Sequence, residues 1–193
     1  MLHSTPTAEL LSTLAREAEL RLTGIPAFPG LTMDNPSLAH AFVRAHRLCE
    51  EGSDSLAADE GLLDVLTMLL RTHVGGARSW RSPGIPRRAI QCAIDCIQES
   101  FAEPLTLEML VSLTGLPRGT MLRAFRREVG LPPYGLLIQV RIERAKQLLQ
   151  AGVPIAAVAQ QVGFADQSHL TRHFRRLVGV TPGVFARGVA RLS

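Results

Sequence analysis

Arg123, Arg126 and Arg127 stand in the stretch RAFRREVG, and the same three arginines recur 49 positions later as Arg172, Arg175 and Arg176 in RHFRRLVG. A guanidinium is always charged and donates through a planar fork, so it pairs with phosphate oxygens or, in bidentate fashion, with the edge of guanine. Gln167, Ser168, His169 and Thr171 surround the second trio; Arg118, Thr120 and Leu122 surround the first. Amide, hydroxyl and imidazole groups hydrogen-bond other base edges, and a leucine can touch a thymine methyl. This chemistry is recognition of a polyanion with readable edges.

Little else in the chain points to catalysis. There is no nucleophile elbow, phosphate-binding glycine loop or paired-carboxylate pattern, so the chain is not expected to be an enzyme. His169 and His173 are four apart on one helix, but no acidic or cysteine partner at useful spacing completes a metal site. Cys49, Cys92 and Cys96 form an odd set unsuited to a disulfide framework and read as small apolar side chains. No cofactor or metal is expected. Charge is segregated: residues 1–85 hold 7 Arg against 10 acids, a net −3, whereas residues 86–193 hold 13 Arg and 1 Lys against 7 acids, a net +7. A basic half implies an anionic partner, most simply double-stranded DNA.

The elements that must carry these arginines are helices. After a Gly-, Pro- and Ser-rich break at 75–87, apolar periodicity predicts helices over 87–101, 106–114, 118–129, 134–150, 155–162, 167–178 and 182–190, punctuated by Gly115, Gly130, Gly163 and Gly179 and by prolines. Before the break, helices are expected over 8–22, 36–50 and 57–73, with IPAFPGLTM at 25–33 extended. A leucine stripe at 62–70 suits either core packing or pairing with a second copy. The fold class is therefore mainly α: two helix-turn-helix units, 106–130 and 154–179, joined by a long helix and preceded by a small helical region with at most one or two strands.

The repeat supports this layout. MLRAFRREVGLPP at 121–133 and LTRHFRRLVGVTP at 170–182 share seven identities in thirteen positions. Met121, Ala124, Phe125 and Val129 take the inner face of one helix, and Leu170, Phe174, Leu177 and Val178 that of the other. Arg118, Gly119, Thr120, Leu122, Arg123, Arg126 and Arg127 are expected outward in the first unit. Gln167, Ser168, His169, Thr171, Arg172, Arg175 and Arg176 are expected outward in the second. Base readout is assigned to Arg118, Thr120, Leu122, Arg123, Gln167, Ser168, His169 and Arg172, and phosphate contact to Arg126, Arg127, Thr171, Arg175 and Arg176.

The run RIERAKQLLQAGVPIAAVAQQVGFADQSHLTRHFRRLVGVTP, 141–182, resembles the signature of the AraC/XylS family of bacterial transcription regulators, and the resemblance extends over about 88–190. It implies that 118–128 and 167–177 are recognition helices entering successive major grooves, with base contact at Gly119, Leu122 and Arg123 and at Gln167, Ser168 and Arg172. Gly119 and Leu122 depart from that pattern, since neither offers a hydrogen bond. The resemblance further implies that 1–75 is only the last part of a cupin-like sensing and dimerisation domain, 76–87 a linker and 88–193 the DNA-binding domain.

The expected partners are double-stranded DNA, a second copy through helices within 36–73, and RNA polymerase; the small-molecule effector is unidentified. No stretch is apolar and long enough to span a membrane, and no signal peptide is read at the N-terminus, so a cytoplasmic, nucleoid-associated protein is expected. A competing reading is an interaction protein whose N-terminal helices pair with a full-length regulator and block it.

Overall fold

The computed structural model describes residues 35–51, 55–73 and 87–190. Among them run nine helices and no strand: α1 (Pro36–Glu51), α2 (Ser55–His73), α3 (Arg87–Glu99), α4 (Leu107–Thr114), α5 (Arg118–Val129), α6 (Pro133–Gln150), α7 (Ile155–Gln161), α8 (Gln167–Val178) and α9 (Pro182–Ala190). Their ends differ from the expected ones by no more than two residues. The expected helix at 8–22, the extended segment at 25–33 and nearly all of the 76–87 linker lie outside the described residues.

Local chemistry sets most of these boundaries. The Asn35 Oδ1 accepts from the Leu38 N–H at 3.1 Å and opens α1; the Thr106 hydroxyl accepts from the Met109 N–H at 3.2 Å and opens α4. Asp166 accepts from the His169 N–H at 2.7 Å and opens α8. Each removes one of the orphan donors of a helix N-terminus. Pro133 begins α6, where its fixed φ suits a first turn and its missing N–H has no intrahelical role.

Two cores form around α6. Toward its start, Leu137 joins Ile90, Ile97, Leu107, Leu110, Met121 and Phe125 in the core of the first unit. Further along, Ile138, Ile142, Ala145 and Leu149 join Val158, Phe164, Leu170 and Phe174 in that of the second. One helix thus serves both units as a rigid spacer. The first core has contributors from outside its unit, because Leu56 and Leu63 of α2 are buried in it. A smaller cluster of Leu38, Ala45 and Val65 holds α1 against α2.

The orientation of the second unit is fixed at the turn after α3. Arg141 of α6 is buried and donates from Nε to the Phe101 carbonyl at 2.8 Å and from Nη2 to the Glu103 carbonyl at 3.3 Å. Gly163, at φ +83°, lies so close to the residue between them that a Cβ there would sit 2.6 Å from the Ala102 carbonyl oxygen. Only glycine tolerates both that backbone and that approach.

Candidate nucleic-acid interface

In the second unit, α8 contains no acidic residue and exposes Gln167, Ser168, Arg172, Arg175 and Arg176, with Thr171 half-buried among them. These residues and Thr181 line a concave surface of about 660 Å³. The Thr171 hydroxyl donates to the Gln167 carbonyl at 2.8 Å. Arg176 Nη2 meets His173 Nδ1 at 3.0 Å, so that nitrogen accepts and the imidazole proton resides on Nε2. A face that mixes exposed guanidinium, amide and hydroxyl groups without a carboxylate is suited to phosphates and base edges.

His169 does not belong to that face. It is 6% exposed and packs edge-on against Phe164 with ring centroids 5.1 Å apart, while His173 is equally buried and lies 5.8 Å from the same ring. The outward expectation for His169 is therefore corrected: it lies four residues before His173, and positions four apart share a helical face. Thr120, its counterpart 49 residues earlier, is buried at 7% for the same reason, four residues before the inward Ala124. Leu177 is corrected in the opposite sense, being 45% exposed where an inner place was expected; Val178 packs against the second core instead.

The first unit presents a different surface. Leu122 is 3% exposed and Gly119 is buried, again contrary to the outward expectation. Their counterparts Thr171 and Ser168 are half-buried and exposed, so helix geometry does not account for the difference. On that side of α5 stands α2: Leu122 shares a buried core with Leu56 and Leu63, and α1, α2 and α5 together border a groove of about 440 Å³ lined by Leu63, Asp64, Gly119, Leu122 and Arg126. Arg126 donates through both terminal nitrogens to the two carboxylate oxygens of Asp64, each at 2.8 Å. Arg118 is ion-paired with Glu108, Arg123 Nη2 lies 3.4 Å from the Thr120 hydroxyl, and Arg127 is exposed.

Two further carboxylates stand on α2. Glu60, 5% exposed, accepts from the Tyr134 N–H at 2.9 Å at the start of α6. Burial pushes its carboxyl up to about 7, against the lowering effects of that hydrogen bond and of the Arg126 charge. Asp59 is raised too, first by burial and then by Glu108, with Arg118 opposing. Sequence reasoning assigned no role to Glu60 or Asp64. The i, i+4 spacing of Glu60 and Asp64, with Asp59 beside them, was the available signal for an acidic face.

A family of helix-turn-helix domains matches residues 110–188. An uncharacterised HTH-type transcriptional regulator of Bacillus subtilis, YbfI, is 31% identical over 164 residues, covering 83% of this chain and 59% of that protein. The chain spans between 46% and 60% of the length of this and two putative AraC-like transcription regulators of Streptomyces. Among solved structures, the C-terminal domain of the response regulator AraT from Geobacillus stearothermophilus superposes with a TM-score of 0.50 at 28% identity, over 57% of this chain and 88% of that one. The DNA-binding domain of the global transcriptional factor AdpA, solved with a target DNA, also gives 0.50 at 28% identity, over 52% and 91%. No helix among the described residues is long and apolar enough to cross a membrane. With its paired helix-turn-helix units, its arginine-bearing second helices and these relatives, the chain carries a helix-turn-helix domain of the AraC family of transcriptional regulators.

Proposed function

We propose that the chain is a sequence-specific DNA-binding transcription regulator whose two second helices, α5 and α8, enter successive major grooves. The observation that carries this is the carboxylate-free face of α8, where five exposed polar side chains converge. Gln167, Ser168 and Arg172 read bases from the first turns of the helix, and Arg175, Arg176 and Thr171 grip phosphate. On α5 the corresponding grip belongs to Arg126 and Arg127, and the readout to Arg123. The 18 residues of α6 span about 27 Å, a spacing compatible with grooves that repeat roughly every 34 Å along one face of DNA. Phe42 and Val43 on α1 and Leu62 on α2 are exposed apolar residues and would pair two copies. RNA polymerase would be the partner through which a bound copy alters transcription, and the protein would act at the nucleoid.

Selection of bound sites from random duplex DNA by the full chain tests this reading. A recovered consensus, with affinity falling steeply as salt rises, is the expected result. Recovery of no enriched sequence at low salt would refute it.

A further inference from the structure

We propose that the acidic face of α2 is an internal DNA mimic: it occupies the groove-facing side of α5, so that α2 and DNA compete for the first recognition helix, with Asp64 standing where a backbone phosphate would stand on Arg126. The proposal rests on the DNA-binding function argued above and adds an order of events to it, since the second unit meets DNA with its face open and the first only after α2 has left.

The internal repeat supplies the comparison that separates scaffold burial from coverage. Positions 120 and 169 are buried in both units, so they face inward by helix geometry. Positions 119 and 168, and 122 and 171, differ: the first of each pair is buried and the second is exposed or half-buried. Arg175 is exposed, whereas its counterpart Arg126 is held by the Asp64 carboxylate through two parallel hydrogen bonds. A bidentate arrangement of this kind is one a guanidinium also makes with a phosphate. The two positions at which α5 has lost polar character relative to α8, Gly119 and Leu122, line the groove that α5 shares with α2. A side chain without a hydrogen-bonding group loses nothing when an apolar surface such as Leu63 is laid on it.

The cover is held at three kinds of contact. Leu56 and Leu63 bury in the first core, Asp64 takes Arg126, and Glu60 accepts the Tyr134 N–H. The charged contact is about one-third exposed on each side, so it is a releasable latch rather than a permanent bond. A DNA phosphate offers Arg126 the same geometry together with the favourable release of counterions from the duplex.

The test compares the full chain with its Asp64→Asn variant, on a duplex carrying the best site selected from random DNA. At low salt the variant should bind about threefold to fivefold more tightly, as expected for removal of one partly exposed charge-assisted contact from the closed state. A second measurement needs no variant: hydrogen exchange of the unaltered chain should show amides of 55–73 losing protection when the duplex is added to saturation, while those of 118–129 gain it. Retention of α2 protection in the saturated complex, or equal affinity of a folded variant, would overturn the mimic and leave the DNA-binding reading intact. If neither protein retained any duplex, the functional reading would fail and the mimic with it.

Discussion

Arg172 and Arg175 lie on one helix, yet they should fail in different ways when removed. Arg172 is exposed in the first half of α8 beside Gln167 and Ser168, the stretch proposed to read base edges, and Arg175 lies a turn further on. Arg172→Ala should cost about 1 to 3 kcal/mol and relax preference at one position. Arg175→Ala should weaken all sequences alike and lower the salt slope by about 1. Titrations against a panel of singly substituted sites separate these outcomes, and a unchanged preference in Arg172→Ala would remove that residue from base readout. Glu60 makes a different kind of prediction. Its carboxyl, flanked by Asp59 and Asp64 on α2, by Arg126 on α5 and by the Tyr134 N–H on α6, is raised from 4.5 to about 7. The folded state therefore holds the proton more tightly than the unfolded one. Stability from this group is fully present below about 4.5 and is lost as pH rises through about 7. Glu60→Gln keeps the acceptor without the charge. Relative to the unaltered chain it should gain stability between pH 5 and pH 8, by on the order of 3 kcal/mol at the upper end. Thermal melting across that range checks it; parallel curves for the two proteins would rule the carboxylate out as the source.

At the scale of elements, the turn between α3 and α4 and the turn between α7 and α8 lock each other. Gly163→Ala must place a methyl 2.6 Å from the Ala102 carbonyl and adopt φ +83°; Gly115→Ala, at φ +65°, meets nothing within 4 Å. The second change should cost about 1 kcal/mol, the conformational penalty alone. The first should cost at least about twice that, lowering Tm by roughly 4 to 8 °C or more, and calorimetry of the two variants measures the difference. These glycines, with the flanking prolines, are also why the helix boundaries were legible from the sequence: each marks a place where ordinary helical backbone cannot continue. Which side chains face out was less legible. Thr120 and His169 are expected outward as what remains once the apolar positions take the inner face, but positions four apart share a face, and both are buried. The coverage of Leu122 and Gly119 was not legible at all. It depends on a contact between α2 and α5 bridging 62 positions, which neither helical period nor turn chemistry encodes.

For the whole molecule, the charge asymmetry seen in the sequence acquires a structural meaning. The acidic half, net −3 over residues 1–85, and the basic half, net +7 over 86–193, are joined by the pair of Asp64 on α2 and Arg126 on α5, so part of the basic half's potential is spent internally. Salt then acts on two equilibria at once. Raising it weakens the duplex complex through lost counterion release, but it also screens the partly exposed pair of Asp64 and Arg126 that opposes that complex. The unaltered chain should accordingly show a shallower dependence of log affinity on log salt than Asp64→Asn, in which only the first effect operates. The affinities of the two proteins should converge between about 50 and 200 mM salt, where the screening length shortens from roughly 14 to 7 Å. If Asp64 acts through Arg126, the advantage must also disappear in an Arg126→Gln background, because no guanidinium remains for carboxylate or phosphate to claim. A double-mutant cycle at two salt concentrations reads both terms. Parallel salt slopes, or an Asp64→Asn gain that survives the loss of Arg126, would place the effect of Asp64 in general electrostatics rather than in this contact.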